Sequence, residues 1–338
     1  MDIKSIIDFY RNATDEELIK EADRVCRANY GDKVYLRGLI EFSNYCSMDC
    51  AYCGIRSGNG LVNRYRLSIE EIAAIVDNGY KSGLRTFVLQ SGEDPYYNAD
   101  KLVDLIKEIK LVTKGEAAVT LSCGLYSKED FKKIKDAGCD RYLMRFEVSD
   151  PIIYKSLRNG LDLDERIAAL RILKGLGFEA GSGYMVGLPG ETEEIRINNA
   201  LLCAELELEM VGVGPFIPHP ETPLAGSEQQ NIDLAIRATA LLRLLLPKSN
   251  IPATTAAGSL DPVGREKMIA AGANVLMPNI SPVDHKKDYL LYPGKICIDE
   301  SGFECIGCLS GRVGSVNKKI DMGRGDSLNK VKHSYTIN

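Results

Sequence analysis

The chain has 338 residues, of which 45% are hydrophobic and 26% charged, and its formal net charge at pH 7 is −5. This composition is typical of a globular protein, and the acidic balance argues against a nucleic-acid-binding surface. Residues 1–14 carry charges among their apolar positions and have no small-residue cleavage site, and no apolar run reaches the ~18 residues of a membrane span. We therefore expect a soluble, cytoplasmic protein with neither nucleic-acid nor membrane partners.

Eight β-rich runs alternate with helical patterns along the chain. The runs begin at Val34, Thr86, Ala118, Arg141, Glu179, Met210, Ile251 and Asn274. Apolar residues recur every three or four positions between them, and Ser68 and Glu71 have the spacing of a capping box. This order predicts a parallel sheet with right-handed crossovers, and the span of roughly 250 residues fits one (β/α)8 barrel. An open doubly wound sheet is the alternative, although the glycines around Gly181 lack the spacing of a dinucleotide-binding loop.

The predicted fold is thus an α/β, TIM-type barrel with an extension at each end. Residues 1–33 are predicted to form an N-terminal helical extension, residues 34–288 the (β/α)8 barrel, and residues 289–338 a C-terminal extension. The last segment contains three cysteines and then a glycine- and lysine-rich end, which we expect to be partly disordered.

Three cysteines follow the first predicted strand in a C-x3-C-x2-C spacing, at Cys46, Cys50 and Cys53. Residues 44–67 show neither helical nor strand periodicity, and they follow the carboxyl end of a strand, where barrel active sites form. Clustered thiolates suit zinc or an iron–sulfur cluster. The chain's three histidines lie elsewhere, at His219, His285 and His333. A cluster with three protein ligands would keep one iron open for a small molecule.

The C-x3-C-x-aromatic-C pattern resembles that of the radical S-adenosylmethionine (SAM) superfamily. The resemblance implies a 4Fe–4S cluster on Cys46, Cys50 and Cys53, whose open iron chelates the amino and carboxylate groups of SAM. One electron would then cleave SAM to methionine and a 5′-deoxyadenosyl radical. It also places Tyr52 near the adenine. A structural or electron-transfer cluster is the alternative.

Further positions match the SAM-holding residues of that superfamily. Ser91, Gly92 and Glu93 resemble its Gly-Gly-Glu motif, with Ser91 departing from the usual first glycine. Glu147, at the end of the fourth predicted strand, and Arg166, at the start of the next predicted helix, are expected to fix the polar groups of SAM by charge-assisted hydrogen bonds. Ser122 and Tyr289 complete the expected cofactor-binding set. The alternative is an ordinary strand-to-helix turn at Ser91–Glu93 and ordinary surface ions at Glu147 and Arg166.

A closer resemblance is to the maturases of FeFe-hydrogenase within that superfamily. It rests on the stretches IEFSNYCSMDCAYCGIR, LQSGEDPYY, MVGLPGET and LYPGKIC, among others. The C-x7-C-x2-C spacing of Cys297, Cys305 and Cys308 resembles an auxiliary site for a 2Fe–2S or 4Fe–4S cluster, with zinc or free thiols as the alternative. Biotin synthase and methylornithine synthase are the related families. Biotin synthase needs a further cysteine set inside the barrel, for which Cys123 is the one candidate.

This resemblance implies an iron complex carrying carbon monoxide, cyanide and cysteine as substrate, on the way to the catalytic cluster of the hydrogenase. A partner maturase would supply it, other hydrogenase maturases would take part, and ferredoxin or flavodoxin would donate electrons. Four residues are expected to line the substrate end: Arg145 on the fourth predicted strand, Thr254 and Thr255 on the seventh, and Met277 on the eighth. His219 is interpreted as either a proton donor or a loop brace. Two alternatives stay open: a radical-SAM mutase or sulfur-inserting enzyme acting on an organic molecule, and a non-enzymatic iron–sulfur carrier.

Overall fold

Parallel strands and helices alternate along residues 1–329, the part of the chain that the computed structural model describes. The strands within it are β1 (Lys33–Leu36), β2 (Gly38–Ser43), β3 (Thr86–Ser91), β4 (Ala118–Ser122), β5 (Arg141–Leu143), β6 (Glu179–Val186), β7 (Met210–Pro215), β8 (Val275–Leu276) and β9 (Lys319–Asp321). The helices are α1 (Ile3–Asn12), α2 (Asp15–Tyr30), α3 (Ile69–Lys81), α4 (Ala99–Val112), α5 (Lys128–Asp136), α6 (Pro151–Leu157), α7 (Leu163–Gly175), α8 (Glu193–Glu205), α9 (Asp233–Leu245), α10 (Thr255–Leu260), α11 (Gly264–Ala270), α12 (Val283–Lys286) and α13 (Gly302–Ser315). None of these helices is long and apolar enough to cross a membrane.

The central sheet confirms the predicted fold class. Strands β2 to β7 pair in chain order, and every pair is parallel. Isolated parallel bridges continue the pairing between Met210 and Asn250, Pro252 and Val275, and Leu39 and Asn279. The pairing therefore passes from β7 through residues 250–253 and the β8 region back to β2. This is the strand order of a (β/α)8 barrel, in which loops at the carboxyl ends of the strands build the site.

The seventh predicted strand is the one that the structure does not contain. Residues 250–253 make bridges only, because Pro252 has no N–H to donate to a ladder. The placement of Thr254 and Thr255 on a strand is therefore wrong. Thr254 caps the N-terminus of α10, where its hydroxyl accepts a hydrogen bond from the Ala257 N–H, and Thr255 is the first residue of that helix.

Local sequence signals account for most of the helices. The Ser68–Glu71 capping box is present at the start of α3, as predicted. The N-terminal extension holds two helices where one was predicted. Thr14 starts the second of them with a capping box to Glu17, and this interrupts the helical run after α1. The predicted boundaries between residues 33 and 34 and between residues 288 and 289 stay predictions.

The C-terminal extension is more ordered than expected as far as residue 329. It forms α13 and β9, and β9 pairs in parallel with β1. The segment after β9 covers the amino-terminal end of the barrel: the buried Arg141 donates to a carboxylate oxygen of Glu179 at 2.7 Å and to the carbonyl of Arg324 at 3.0 Å. Its guanidinium also pairs with Asp326. The closed end and the site therefore lie at opposite ends of the strands. Residues 330–338, where the expected disorder also falls, lie outside the described residues.

Candidate functional site

The first cysteine group lies in the loop that joins β2 to α3. Cys50 is buried, and Cys46 and Cys53 are partly buried. Together they present three thiols on one loop, the soft ligands that an iron–sulfur cluster or zinc takes.

Distant segments fix the path of this loop. The N–H of Ala51 donates to the Leu157 carbonyl at the end of α6, and the N–H of Gly54 donates to the Leu291 carbonyl in the C-terminal extension. Within the loop, the guanidinium of Arg64 donates to the carbonyls of Ile55 and Arg56 at 2.8 Å each. A loop without regular structure is thereby held in one conformation by tertiary contacts.

The predicted SAM motif lies directly against the first cysteine. The Gly92 N–H donates to the Ser43 carbonyl, and a Cβ atom at Gly92 would lie 2.2 Å from the carbonyl oxygen of Tyr45 and 2.6 Å from Cβ of Cys46. The next N–H, that of Glu93, points at Sγ of Cys46 at 3.4 Å. Only glycine allows this approach of two backbones, so Gly92 is required where the sequence has it.

Glu93 is the centre of a buried charge cluster. One of its carboxylate oxygens, Oε1, lies 3.1 Å from Nη2 of Arg158 and 3.1 Å from Nη2 of Arg166. Burial by itself would raise the pKa of Glu93, but the two guanidinium groups outweigh it and hold this pKa below its usual value. Arg166 lies in α7 and not in the first helix after β5, because the short α6 comes between them. A cavity of about 210 Å³ opens beside Glu93 and Arg166, with Met48 and Tyr154 in its wall.

Tyr52 and Glu147 meet on the other side of the cysteine loop. The Tyr52 hydroxyl donates to Oε1 of Glu147 at 3.1 Å, and burial raises the pKa of Tyr52 well above its usual value. Glu147 lies beyond the end of β5 and has a φ of 67°, a left-handed conformation that a glutamate rarely adopts. Such strain persists where the surroundings impose it, as at binding sites.

Arg145 lies beside Glu147 with buried polar atoms that have no hydrogen-bond partner. Its Nη2 is 3.2 Å from Oε2 of Glu147, an ion pair that lacks hydrogen-bond alignment. Nε of the same guanidinium is also buried without a partner. Unpaired buried polar atoms are costly, and a polar ligand at this position would supply the missing hydrogen-bond partners.

The other predicted residues surround the same end of the barrel. Ser91 and Ser122 are the last residues of β3 and β4. Tyr289 is buried, its hydroxyl accepts a hydrogen bond from Nε2 of Gln90 at 3.3 Å, and burial raises its pKa well above the usual value. Met277, predicted on the eighth strand, follows the last residue of β8.

The second cysteine group is assembled differently from its prediction. Sγ of Cys297, Sγ of Cys305 and a carboxylate oxygen of Glu300 all lie within 4.8 Å of one another. Cys308 lies three residues after Cys305 on α13, is exposed, and is not a member of this set. Burial, reinforced by Glu300, raises the pKa of Cys305 to about 12. The structure thus offers two thiols and one carboxylate as ligands.

His219 and Cys123 are both buried within the loops and strands of this end. Nδ1 of His219 accepts the N–H of Glu221 at 3.1 Å, and the ring packs so closely on Gly54 that a Cβ there would lie 2.7 Å from it. Burial lowers the pKa of His219, so the ring is neutral at pH 7. These contacts favour the loop brace over the proton donor. Sγ of Cys123 lies 3.5 Å from the Tyr142 hydroxyl, and burial raises its pKa to about 12.

Three residues of the site had not been predicted. Arg158 contacts Glu93 and Cys50, Arg64 organises the cysteine loop, and Glu300 joins the second cysteine group. Arg158 had no signal, since it stands at the end of an unpredicted helix. For Glu300, the signal in the sequence was its position between Cys297 and Cys305, which could have indicated a third ligand.

The donor set fits a 4Fe–4S cluster and an amino acid-like ligand. Three thiols lie on one loop, and a carboxylate with two guanidinium groups faces the neighbouring cavity. Burial raises the pKa of Cys50 to about 11 against the opposing effect of Arg158. Metal binding to this thiol therefore requires release of its proton.

Comparison with known proteins agrees with this geometry. The model of the radical SAM superfamily matches residues 40–202. The FeFe-hydrogenase maturase subunit HydE of Thermotoga maritima is 44% identical over 94% of this chain and 90% of that protein. The 3-methylornithine synthase of Methanosarcina barkeri is 29% identical over 83% of this chain and 79% of that protein. Among solved structures, a methylornithine synthase has a TM-score of 0.81 at 26% identity and covers 94% of this chain and 93% of that chain.

Proposed function

The chain belongs to the radical SAM superfamily and, within it, to the family of the FeFe-hydrogenase maturase HydE, and from this membership we propose that it is a maturase of FeFe-hydrogenase. The observation that carries the proposal is the junction of Gly92–Glu93 with Cys46. It joins the predicted cluster ligands to the predicted SAM motif in a protein 44% identical to such a maturase.

Membership in the superfamily implies a 4Fe–4S cluster and SAM. Cys46, Cys50 and Cys53 would hold the cluster, which when reduced supplies the electron that cleaves SAM. Glu93 and Arg166 present a carboxylate and a guanidinium in the wall of the cavity, and these match the ammonium and carboxylate groups of an amino acid. The backbone of Ser91 and Gly92 would complete this end of the ligand site.

Tyr52 and Glu147 would hold the nucleoside part of SAM. The hydrogen bond from Tyr52 orients Glu147 through Oε1. Oε2 lies 3.2 Å from Nη2 of Arg145 but accepts no hydrogen bond, so a ligand hydroxyl would find an acceptor there. The strained backbone of Glu147 fixes the direction of that carboxylate before the ligand binds. Tyr289 and Ser122 belong to the same proposed set.

The proposed substrate is an iron complex with carbon monoxide, cyanide and cysteine, delivered by a partner maturase. Cyanide and a cysteine carboxylate are anionic, and Arg145 offers buried donors without hydrogen-bond partners. Thr254, Thr255 and Met277 are proposed to line the same end. Solvent must be excluded while a carbon radical is present. The segment after β9 contributes to this exclusion, because it covers the other end of the barrel. Ferredoxin or flavodoxin is the proposed electron donor.

We propose that the second cysteine group is an auxiliary metal site. Cys297, Cys305 and Glu300 are already gathered as ligands, and Cys308 would have to turn inward to join them. Two thiolates and a carboxylate suit iron or zinc. The auxiliary cluster that the sequence predicts on all three cysteines would form only if the Cys308 side chain turned inward.

The deciding experiment is in vitro maturation of apo-hydrogenase with the purified partner maturases. We expect hydrogenase activity only when this protein, SAM and a reductant are all present, and none with the Cys50→Ala variant. Formation of 3-methylornithine without maturation would favour the synthase alternative, which the TM-score of 0.81 supports. Maturation without any SAM cleavage would instead favour an iron–sulfur carrier.

A further inference from the structure

Arg158 connects the first cysteine group to the predicted SAM motif. Its guanidinium donates through Nη1 to Sγ of Cys50 at 3.1 Å and through Nη2 to Oε1 of Glu93 at 3.1 Å. The residue is 7% exposed, and its contact with Cys50 is buried, while that with Glu93 is partly buried. Neither the sequence pattern of the cysteines nor the similarity to known proteins assigns a role to this arginine.

The fold holds Arg158 in this position through α6. Asp150 caps the helix by accepting the N–H groups of Ile152 and Ile153. At the other end, the Leu157 carbonyl accepts the N–H of Ala51, and the N–H of Arg158 donates to the Tyr154 carbonyl. The C-terminus of α6 is thus bonded to the residue that follows Cys50. The backbone at Arg158 is thereby held beside the loop that carries Cys50.

The cysteines of the first group receive different kinds of hydrogen bond. Cys46 accepts from the neutral backbone N–H of Glu93 at 3.4 Å, whereas Cys50 accepts from a positively charged guanidinium at 3.1 Å. Charge-assisted hydrogen bonds are roughly twice as strong as neutral ones. Their effect is larger in a buried site, where the effective dielectric constant is low.

We propose that Arg158 is a positioning residue that sets the electron affinity of the cluster held by Cys46, Cys50 and Cys53. Hydrogen bonds to the ligand sulfurs and the net charge nearby determine the reduction potential of an iron–sulfur cluster. Reduction adds one negative charge, and a guanidinium on Cys50 stabilises the reduced state more than the oxidised state. The inference rests on the proposed function only in that a cluster occupies this group.

The charges of Glu93, Arg158 and Arg166 do not cancel, and the excess positive charge can act on the cluster. Two guanidinium groups, of Arg158 and Arg166, share Oε1 of a single carboxylate. One carboxylate cannot neutralise both, so the trio of charged groups is net positive beside Cys50. A ligand that draws Glu93 toward its own ammonium group would strengthen the hold of Arg158 on the thiolate. Binding of SAM and ease of reduction would then be coupled.

The test is a redox titration of the anaerobically reconstituted, full-length protein, monitored by electron paramagnetic resonance. In Arg158→Gln, which removes the charge but keeps a donor, we expect the ratio of reduced to oxidised cluster at the wild-type midpoint potential to fall about tenfold. Arg158→Lys, which keeps the charge, should recover part of this loss. Arg171→Gln is the matched control, because Arg171 forms an exposed ion pair with Glu205 on the neighbouring helix.

Several results would overturn the proposal. If Arg158→Gln retained its full iron content and its midpoint potential were unchanged, the guanidinium would not act on the cluster. Failure of either Arg158 variant to retain iron, with an unaltered circular dichroism spectrum, would assign Arg158 to cluster assembly instead. If the wild-type protein itself showed no reducible cluster, the proposed function would fail, and this outcome is separate from both of the others.

Discussion

The two cysteine groups use similar spacings in very different surroundings. The first is held by backbone and charged groups from β3, α6, α7 and the C-terminal extension. The second gathers residues from a stretch of nine, 297–305, with an exposed carboxylate among them. Buried charges that converge from distant segments are typical of a reactive centre. A local ligand set near the surface can bind a metal without taking part in chemistry deeper in the barrel.

The largest expected effect is the loss of SAM cleavage when a cysteine of the first group is replaced. Cys50→Ala should lower reductive SAM cleavage by at least roughly 100-fold, because loss of an outer-shell partner alone costs 10–100-fold in metal sites and Cys50 is a predicted ligand. The readout is 5′-deoxyadenosine formed per chain, together with iron content. Cys203→Ala is the control, since Cys203 is buried in α8 away from both groups. Full cleavage by Cys50→Ala would remove the radical-SAM role of this group.

A second variant tests whether the residues around the first cysteine group divide into some that bind SAM and others that bind the substrate. Arg145→Leu should abolish hydrogenase maturation while SAM affinity stays within a few-fold, because removing a cation that pairs an anionic ligand through buried nitrogen atoms costs about 2–5 kcal/mol. Maturation yield, SAM affinity and melting temperature are measured on one preparation. Joint loss of SAM affinity and thermal stability would show that Arg145 only braces Glu147, from which it lies 3.2 Å.

A smaller effect concerns the ion pair of Arg66 and Asp94, which holds the loop of the first cysteine group. Arg66 pairs with Asp94 at 2.7 Å and packs 3.6 Å from the ring centroid of Tyr45, which precedes Cys46. Asp94→Asn should lower the free energy of unfolding by about 1–3 kcal/mol at pH 7. Urea unfolding of the metal-free protein measures this difference. Asp77→Asn, in an exposed pair with Lys81, is the control and should have little effect.

The pH dependence of that difference has a defined sign. Burial alone would raise the pKa of Asp94, but hydrogen bonds from Arg66 and Ser43 outweigh it and lower this pKa below 3.8. A carboxyl whose pKa is lower in the folded state stabilises the fold above its unfolded pKa and loses this contribution as the pH falls. The difference between wild type and Asp94→Asn should therefore persist above pH 3.8 and shrink below it. A difference independent of pH would exclude the charge as its cause.

Loss of the second cysteine group should have the smallest effect on SAM cleavage. Replacing Cys297, Cys305 and Cys308 together by Ala should remove the auxiliary metal yet leave SAM cleavage within about twofold, because distant sites act independently. Glu300→Ala should lower metal content more than Cys308→Ala, as Glu300 is in the gathered set. Collapse of SAM cleavage in an intact triple variant would make this site part of the electron path.

The sequence by itself determined the class of fold and the family to which the chain belongs. Eight β-rich runs alternating with helical patterns were sufficient for a parallel α/β barrel, because hydrophobic periodicity and caps act locally. Gly92 and Glu93 were recognisable beside each other in the chain, and so were Cys46, Cys50 and Cys53. The proline at position 252 could have warned that the seventh run would not form a regular strand.

Tertiary structure alone decided which charges reach these residues. Arg158 lies 108 positions from Cys50 and 65 from Glu93, and no local pattern marks a contact of that separation. That Glu300 lies close to Cys297 and Cys305, while Cys308 is exposed, likewise depended on where α13 begins, since helical geometry puts Cys305 on a buried face. Residue types and short spacings are properties of the chain. Burial, convergence of charges and the direction of a side chain are properties of the packed fold, and they determine what the cysteines can do.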